Sequence, residues 1–423
     1  MKDQPAARRR KRAIRRWLGR LVVWAALASL LTTSSVTAEQ AFDMRLWALV
    51  GGHDFDWVGW EANALAEEVG WALSGQASAA DPAAQQSQVL AYVSREQQLQ
   101  ELEARQEAGA ARPAPPTSAS QVSSQERQLA VLTSQQADAT PQVERILAAQ
   151  LSQELSKQGF TLAGTVWPPV TFRFSQLPSY LVISPRDQIR LYRGIFLQPD
   201  LSDAERTRLE NAIEAQLDVS ALVDDVGGIG IWPTMVTANA SLPDVVDIIA
   251  HEWTHTYLFF LPLGWHYADN QDTTTMNETV ASIAGAELAG AWLADDYPML
   301  AAALRRPLPP FGSADREAQF NRTMRQIRLH VDELLAEGRV SEAERYMEAE
   351  RQALVAAGHP LRRLNQAYFA FHGSYATSPA SVDPIGTWLR QLRARSGSLK
   401  DFLDRVGAMT SRAELMQAVA AHP

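Results

Sequence analysis

The 423-residue chain has no cysteine. That excludes disulfides and thiolate-bound metals, so any metal site must be built from His, Asp and Glu. Positive charge is in deficit over most of the length. Residues 1–20 hold nine Lys or Arg against Asp3 alone, while the whole chain stands at −9, which leaves −17 for the rest. Phosphate repels such a body, which argues against nucleic acid as a partner. Long apolar runs are lacking as well, with one exception. Leu21–Ala38 is eighteen residues without a charge, of which only Leu21–Leu31 is strongly apolar. Eleven apolar residues suit the core of a signal peptide, and Ser-Val-Thr-Ala before Glu39 offers the small residues of a cleavage site. Eighteen uncharged residues would also just span a bilayer as a signal anchor, giving a transmembrane helix. The basic flank stays inside in either case, so the body is expected outside the cytoplasm, membrane-anchored or secreted.

What is present divides into four stretches. Residues 1–38 are the basic block and the apolar run. Residues 39–75 are Trp-rich (Trp47, Trp57, Trp60, Trp71) and read as a juxtamembrane segment whose rings serve an interface or a core. Residues 76–159 are rich in Gln, Ala, Ser and Glu. They read as a helical spacer: a first helix over residues 88–108, a flexible Pro-rich linker at Ala111–Ser120, then helices near Ser124–Gln136 and Pro141–Gly159. Residues 160–423 are α+β. Residues 170–177 alternate with period two, and 180–184 and 189–197 are β-rich and bounded by Pro or Gly, so all three predict strands. Gly227–Val236 predicts an edge strand, because Pro233 has no N–H to give to a sheet interior. Ser202 with Glu205 and Ser241 with Asp244 predict helix starts, and the remainder is mostly helix with a hairpin near Gly338–Val340.

The second predicted helix carries His251-Glu252-Trp253-Thr254-His255 in an otherwise apolar run. Residues four apart lie on one helical face, so both imidazoles can reach one tetrahedral ion. Glu252, about 100° further round, flanks that ion and meets a water in its open position. The competing reading makes the histidines core residues bonded to carbonyls. A third ligand is expected from the next helix, and Glu278 follows His255 by 23 residues. HExxH with a downstream Asn-Glu resembles the gluzincins, the thermolysin- and aminopeptidase-like zinc peptidases. Asn277-Glu278 and Ala281 match the Asn-Glu-x-x-Ala of the aminopeptidase branch. Ser282 departs from the thermolysin branch, which has there an Asp that orients the first zinc histidine. The resemblance spans roughly residues 225–290.

Rival assignments stay open at this point. Thr275–Glu278 also reads as a capping box, with Glu278 serving a backbone N–H. Glu287 is the alternative third ligand, with Asp269 and Asp272 as outsiders. The pattern HExxHxxGxxH is absent, since positions 258 and 261 are Leu, so His266 is not a ligand by that rule.

The resemblance implies a zincin-like fold, with a small mixed sheet, an active-site helix and a mostly helical C-terminal part. It implies one Zn2+ per chain on His251, His255 and Glu278, with Glu252 activating water for peptide-bond hydrolysis of a peptide or protein substrate laid along the edge strand. Gluzincins also bind the developing oxyanion with a Tyr or His. Asn365–Pro379 offers Tyr375 first, then His372, with Tyr368 nearby. The alternative is a catalytically inactive zincin-fold regulatory or envelope scaffold whose helical spacer binds partners.

Overall fold

Short local rules start most of the helices. In the computed structural model, which describes residues 37–74, 81–111, 119–199, 201–305, 313–375, 378 and 381–421, the chain is mixed α+β and 66% helical. It divides into two compact units, Met1–Gly52 and His53–Pro423. The first holds α1 (Ala38–Val50), begun by a capping box in which Thr37 and Gln40 exchange hydrogen bonds.

The expected transmembrane helix is overturned: no helix among the described residues is long and apolar enough to cross a membrane. Thirteen residues in α1 reach about 20 Å, against the ~30 Å of a bilayer core, and they include Glu39, Asp43 and Arg45. Residues 21–36 of the uncharged run lie outside the described residues, as do the linker residues 112–118 and His422.

The second unit opens with α2 (Trp57–Ser74), α3 (Pro82–Ala111) and α4 (Ala119–Lys157). Trp57 and Trp60 serve packing. Trp57 meets Phe55 and Phe196 edge-on, and the Trp60 indole N–H donates to Ser175 Oγ at 2.8 Å. The two helices expected near 124–136 and 141–159 are one, continuous through Pro141. Nor are α3 and α4 merely a spacer. Val89, Tyr92, Val143, Ile146, Leu147, Leu151 and Leu155 are all buried in the main core of this unit. Their recurrence at three and four residues along α4 gives it one apolar face, and each such side chain stabilises by roughly 1.5–3 kcal/mol. Buried polar groups on that face are satisfied: Gln150 accepts from Trp292 and Tyr297, and Glu144 accepts from Arg173 and from the Phe174 N–H.

A hairpin of β1 (Thr161–Leu162) and β2 (Thr165–Val166) leads to two three-stranded sheets. The first has β4 (Ser179–Pro185) antiparallel to both β5 (Arg193–Leu197) and β6 (Val219–Asp224). Between the last two runs α5 (Asp203–Leu217), started by the expected Ser202–Glu205 box. The second sheet sets β3 (Phe172–Phe174) parallel to β8 (Thr234–Val236), with β7 (Gly228–Ile229) antiparallel on the outside. The single strand expected over Gly227–Val236 is therefore a hairpin. Pro233, joined to Trp232 by a cis peptide bond, sits in its turn, so the edge position falls to β7.

Ser241 caps α6 (Leu242–Phe259), which carries the HExxH motif. Leu242, Val245, Val246, Ile249, Ala250 and Trp253 form its buried face, and the Trp253 indole donates to Pro168 O at 2.9 Å. After α7 (Pro262–Trp265) comes α8 (Gln271–Asp296), capped by Asn270. Helices α9 (Pro298–Arg305), α10 (Ser313–Ala336), α11 (Val340–Ala356), α12 (Gln366–His372), α13 (Ile385–Ala394), α14 (Leu399–Gly407) and α15 (Arg412–Ala420) complete the chain. The turn between α10 and α11 falls at Gly338, whose φ of 74° suits glycine.

Candidate metal centre

Helices α6 and α8 pack so closely that a methyl group on Gly285 would stand 3.1 Å from the backbone of His251. Ala281 and Ala284 keep the same face small and are fully buried. This contact brings the two histidines of α6 to Glu278 of α8. His251 Nε2 and His255 Nε2 are 3.0 Å apart, and Glu278 Oε2 lies 3.6 Å and 3.5 Å from them. A tetrahedral ion with bonds of about 2.0–2.1 Å needs ligands about 3.3–3.4 Å from one another. All three separations fall within a few tenths of an ångström of that. The group could hold a metal ion.

The surroundings fit a cation. Glu278 Oε2 is buried without a hydrogen-bond partner, while Oε1 accepts from Tyr267 OH at 2.5 Å. One oxygen is spent on the protein and the other faces the imidazoles. Asn277 Oδ1 lies 2.8 Å from His255 Nδ1, and its amide nitrogen reaches Leu263 O at 3.5 Å, which sets the amide's orientation. Nδ1–H is then the donor, which turns Nε2 towards the centre. Burial works against a charged His255, but the Glu278 carboxylate more than offsets it and lifts the imidazole pKa to about 9. Burial would raise Glu278, yet His255 and His251 hold it well below the usual carboxylate range. The trio thus favours a positive charge at its centre.

Glu252 is 7% exposed and opens onto the same cleft. Burial pushes its carboxyl upward, and the two histidines oppose that. The glycines of the β7 hairpin make room for it. A Cβ on Gly228 would fall 2.7 Å from the Glu252 carboxylate, and one on Gly230 would fall 3.3 Å from both Glu252 and His255. Beyond any turn they serve, these glycines let the edge strand pass over the motif.

The other expected residues separate. Tyr375 lines the cleft, its ring 6.4 Å from that of His251. Burial, and then Glu278, keep its phenol protonated far above neutrality. His372 does not line the cleft: its Nε2 is 2.9 Å from Asp224 Oδ2 and its ring lies against Tyr368. Glu287 is taken up by Arg393 at 2.6 Å, and Asp272 by Arg412 at 3.2 Å. His266 and Asp269 pair with each other on the loop before α8. The Thr275–Glu278 capping box is corrected, because α8 begins at Gln271 and leaves Glu278 inside the helix. Ser282 donates to the Glu278 carbonyl. Asp247, one turn ahead of His251, has a buried Oδ1 without a partner.

Tyr267 is the residue that sequence reasoning missed. It lies eleven positions before Glu278 in an irregular loop, where no periodicity marks it. Its only signal is an aromatic with a hydroxyl between the two motif helices. Burial, and then Glu278, keep it protonated and hence a donor.

Comparison of the chain with protein-family models, with curated proteins and with solved structures finds no match.

Proposed function

We propose that this chain is a gluzincin-type zinc peptidase acting outside the cytoplasm. The observation that carries the reading is the unpartnered, buried Glu278 Oε2, set at tetrahedral-edge distances from two imidazole nitrogens. Two nitrogens and one carboxylate oxygen suit zinc and leave a position open. Zinc held there would polarise a scissile carbonyl and make a nearby water acidic near neutral pH.

The remaining work belongs to the chain's own side chains. Glu252 accepts a proton from the attacking water and returns it to the leaving amine, a role worth about 10²–10⁴-fold. Tyr375, kept protonated, donates to the oxygen on which negative charge develops. Tyr267 holds Glu278 by one oxygen so that the other stays presented. Strand β7, at the edge of its sheet and lining the cleft, accepts an extended substrate by main-chain hydrogen bonds. The extracytoplasmic location rests on the basic residues 2–20 and the uncharged run behind them.

The test is zinc content of the full chain, wild type beside Glu278→Gln, followed by peptide hydrolysis by wild type beside Glu252→Gln. One zinc per chain is expected in wild type and far less in Glu278→Gln. Glu252→Gln is expected to keep its zinc and lose about 10²–10⁴-fold in rate. A folded wild type that takes up no zinc would overturn the reading.

A further inference from the structure

We propose that the cleft takes an interior stretch of polypeptide with bulky apolar side chains, not a chain end; this deepens the peptidase reading and rests on it. The cleft encloses ≈ 700 Å³. Among the described residues that line it, the only charge-bearing side chains are His251, Glu252, His255 and Glu278. The rest is aromatic, aliphatic or small. Ile229, Ile231 and Trp232 come from the β7–β8 hairpin, Phe259 and Phe260 from the end of α6, and Phe371 from α12.

This apolar surface continues outward. Trp232 is 43% exposed, Phe259 64% and Phe260 48%. Phe260 stands 5.4 Å from Phe259 and 5.5 Å from Trp167, itself 44% exposed. Large apolar rings left in water beside a cleft mark a place where apolar ligand surface is covered.

Charge decides between an interior segment and a terminus. A terminal ammonium needs a carboxylate, and a terminal carboxylate needs Arg, Lys or a set of N–H donors. The two carboxylates of the cleft are committed. Glu278 gives one oxygen to Tyr267 and turns the other to the histidines, and Glu252 borders that same centre. No Arg or Lys is among the described lining residues. A terminus, or a charged side chain, would lose its hydration there without gaining a partner. An interior segment brings only amides, which the edge strand can pair, and side chains that the rings cover.

The experiment measures binding apart from turnover. Zinc-loaded, full-length Glu252→Gln is titrated with short peptides, acetylated and amidated at their ends, that carry Phe-Leu at the centre. Parallel titrations use the same peptides with Asp or Lys in those two positions, and Phe-Leu peptides with free termini placed at the central pair. The blocked apolar peptide is expected to bind at least ~10-fold more tightly than every charged or free-ended form, a difference of about 1.4 kcal/mol. Trp232→Ala and Phe260→Ala, both at exposed rings, are expected to weaken that peptide several-fold while leaving zinc content unchanged. Equal or tighter binding of a charged or free-ended peptide, or binding of none, would overturn the inference. Wild-type cleavage of the same panel separates the two claims. Preferential binding without cleavage would sink the peptidase reading and leave the binding preference standing. Cleavage confined to charged or free-ended peptides would do the reverse.

Discussion

Two glutamates lie in the interior of the same unit and meet opposite circumstances. Glu210 on α5 is 0% exposed and Glu278 on α8 is 6% exposed. Glu210 is filled: Oε1 accepts from the Val223 N–H at 2.7 Å and from Arg362 at 2.6 Å, while Oε2 accepts from Arg362 at 2.7 Å and faces Arg363 at 3.0 Å. Glu278 accepts from Tyr267 through Oε1, and its Oε2 faces two imidazoles at 3.6 Å and 3.5 Å. A buried carboxylate with all its acceptor sites occupied fastens elements together, here α5, β6 and the segment before α12. A buried one left partly open is costly unless a donor or a cation completes it. Burial alone does not tell structure from chemistry; the count of satisfied lone pairs does.

The contrast can be broken first at its structural end. Glu210→Leu would strand two guanidiniums and a backbone N–H, so unfolding free energy should fall by about 3–5 kcal/mol, read from the urea midpoint at constant slope. A loss below 1 kcal/mol would mean the cluster is ornamental. At the other end, Glu278→Gln should matter only when metal is present. With zinc at 100 times its Kd, wild type should gain about 2.7 kcal/mol over its chelated form, and the variant should gain almost nothing. Thermal unfolding with and without chelator measures both, and an equal gain in the variant would remove Glu278 from the ligand set. Tyr267→Phe sharpens the comparison within Glu278 itself. Freed of its tether, Oε1 can swing to the centre, and zinc affinity should drop about tenfold. Cobalt substitution gives a second readout, since added coordination by Oε1 would weaken the visible absorption of a tetrahedral ion. An unchanged spectrum and affinity would show the tether to be idle.

The smallest effect concerns His372, set aside from the cleft by Asp224. Burial raises the Asp224 carboxyl, but the His372 bond and charge outweigh it and hold it below the ordinary 3.8. Its contribution is therefore complete above pH 3.8 and disappears as pH falls through the lower folded value. His372→Gln should flatten this acid limb by less than about 1 kcal/mol and leave peptide hydrolysis unaltered. A large loss of rate with zinc intact would return His372 to the catalytic group.

The parts legible in sequence are those governed by short spacings. Ser241 before an apolar helix and His251 with His255 on one face are decided within a few residues, and so is the Ser202–Glu205 cap. Glu278 is singled out by the resemblance of Asn277-Glu278 to the downstream Asn-Glu of the gluzincins, not by a spacing rule. Tyr267 is not singled out, since a loop side chain finds its partner only after two helices have packed. Thr275 imitates a cap that Asn270 supplies, which is why Thr275–Glu278 reads as a capping box in sequence. The β7–β8 hairpin looks like one strand in sequence because its turn, Gly230–Pro233, is itself apolar. The aliphatic stripe of α4 is visible as a period, but which surface it covers is a tertiary fact.

Gly285 contributes nothing to the centre except proximity. Because it lets two helices touch, His251, His255 and Glu278 are mounted on what amounts to one rigid part rather than on independent arms. The spacing of the backbone positions that carry them is then a property of the joint. Such a mount acts as a calliper. An ion held there would be selected by size and preferred geometry, through an atom that the sequence leaves out.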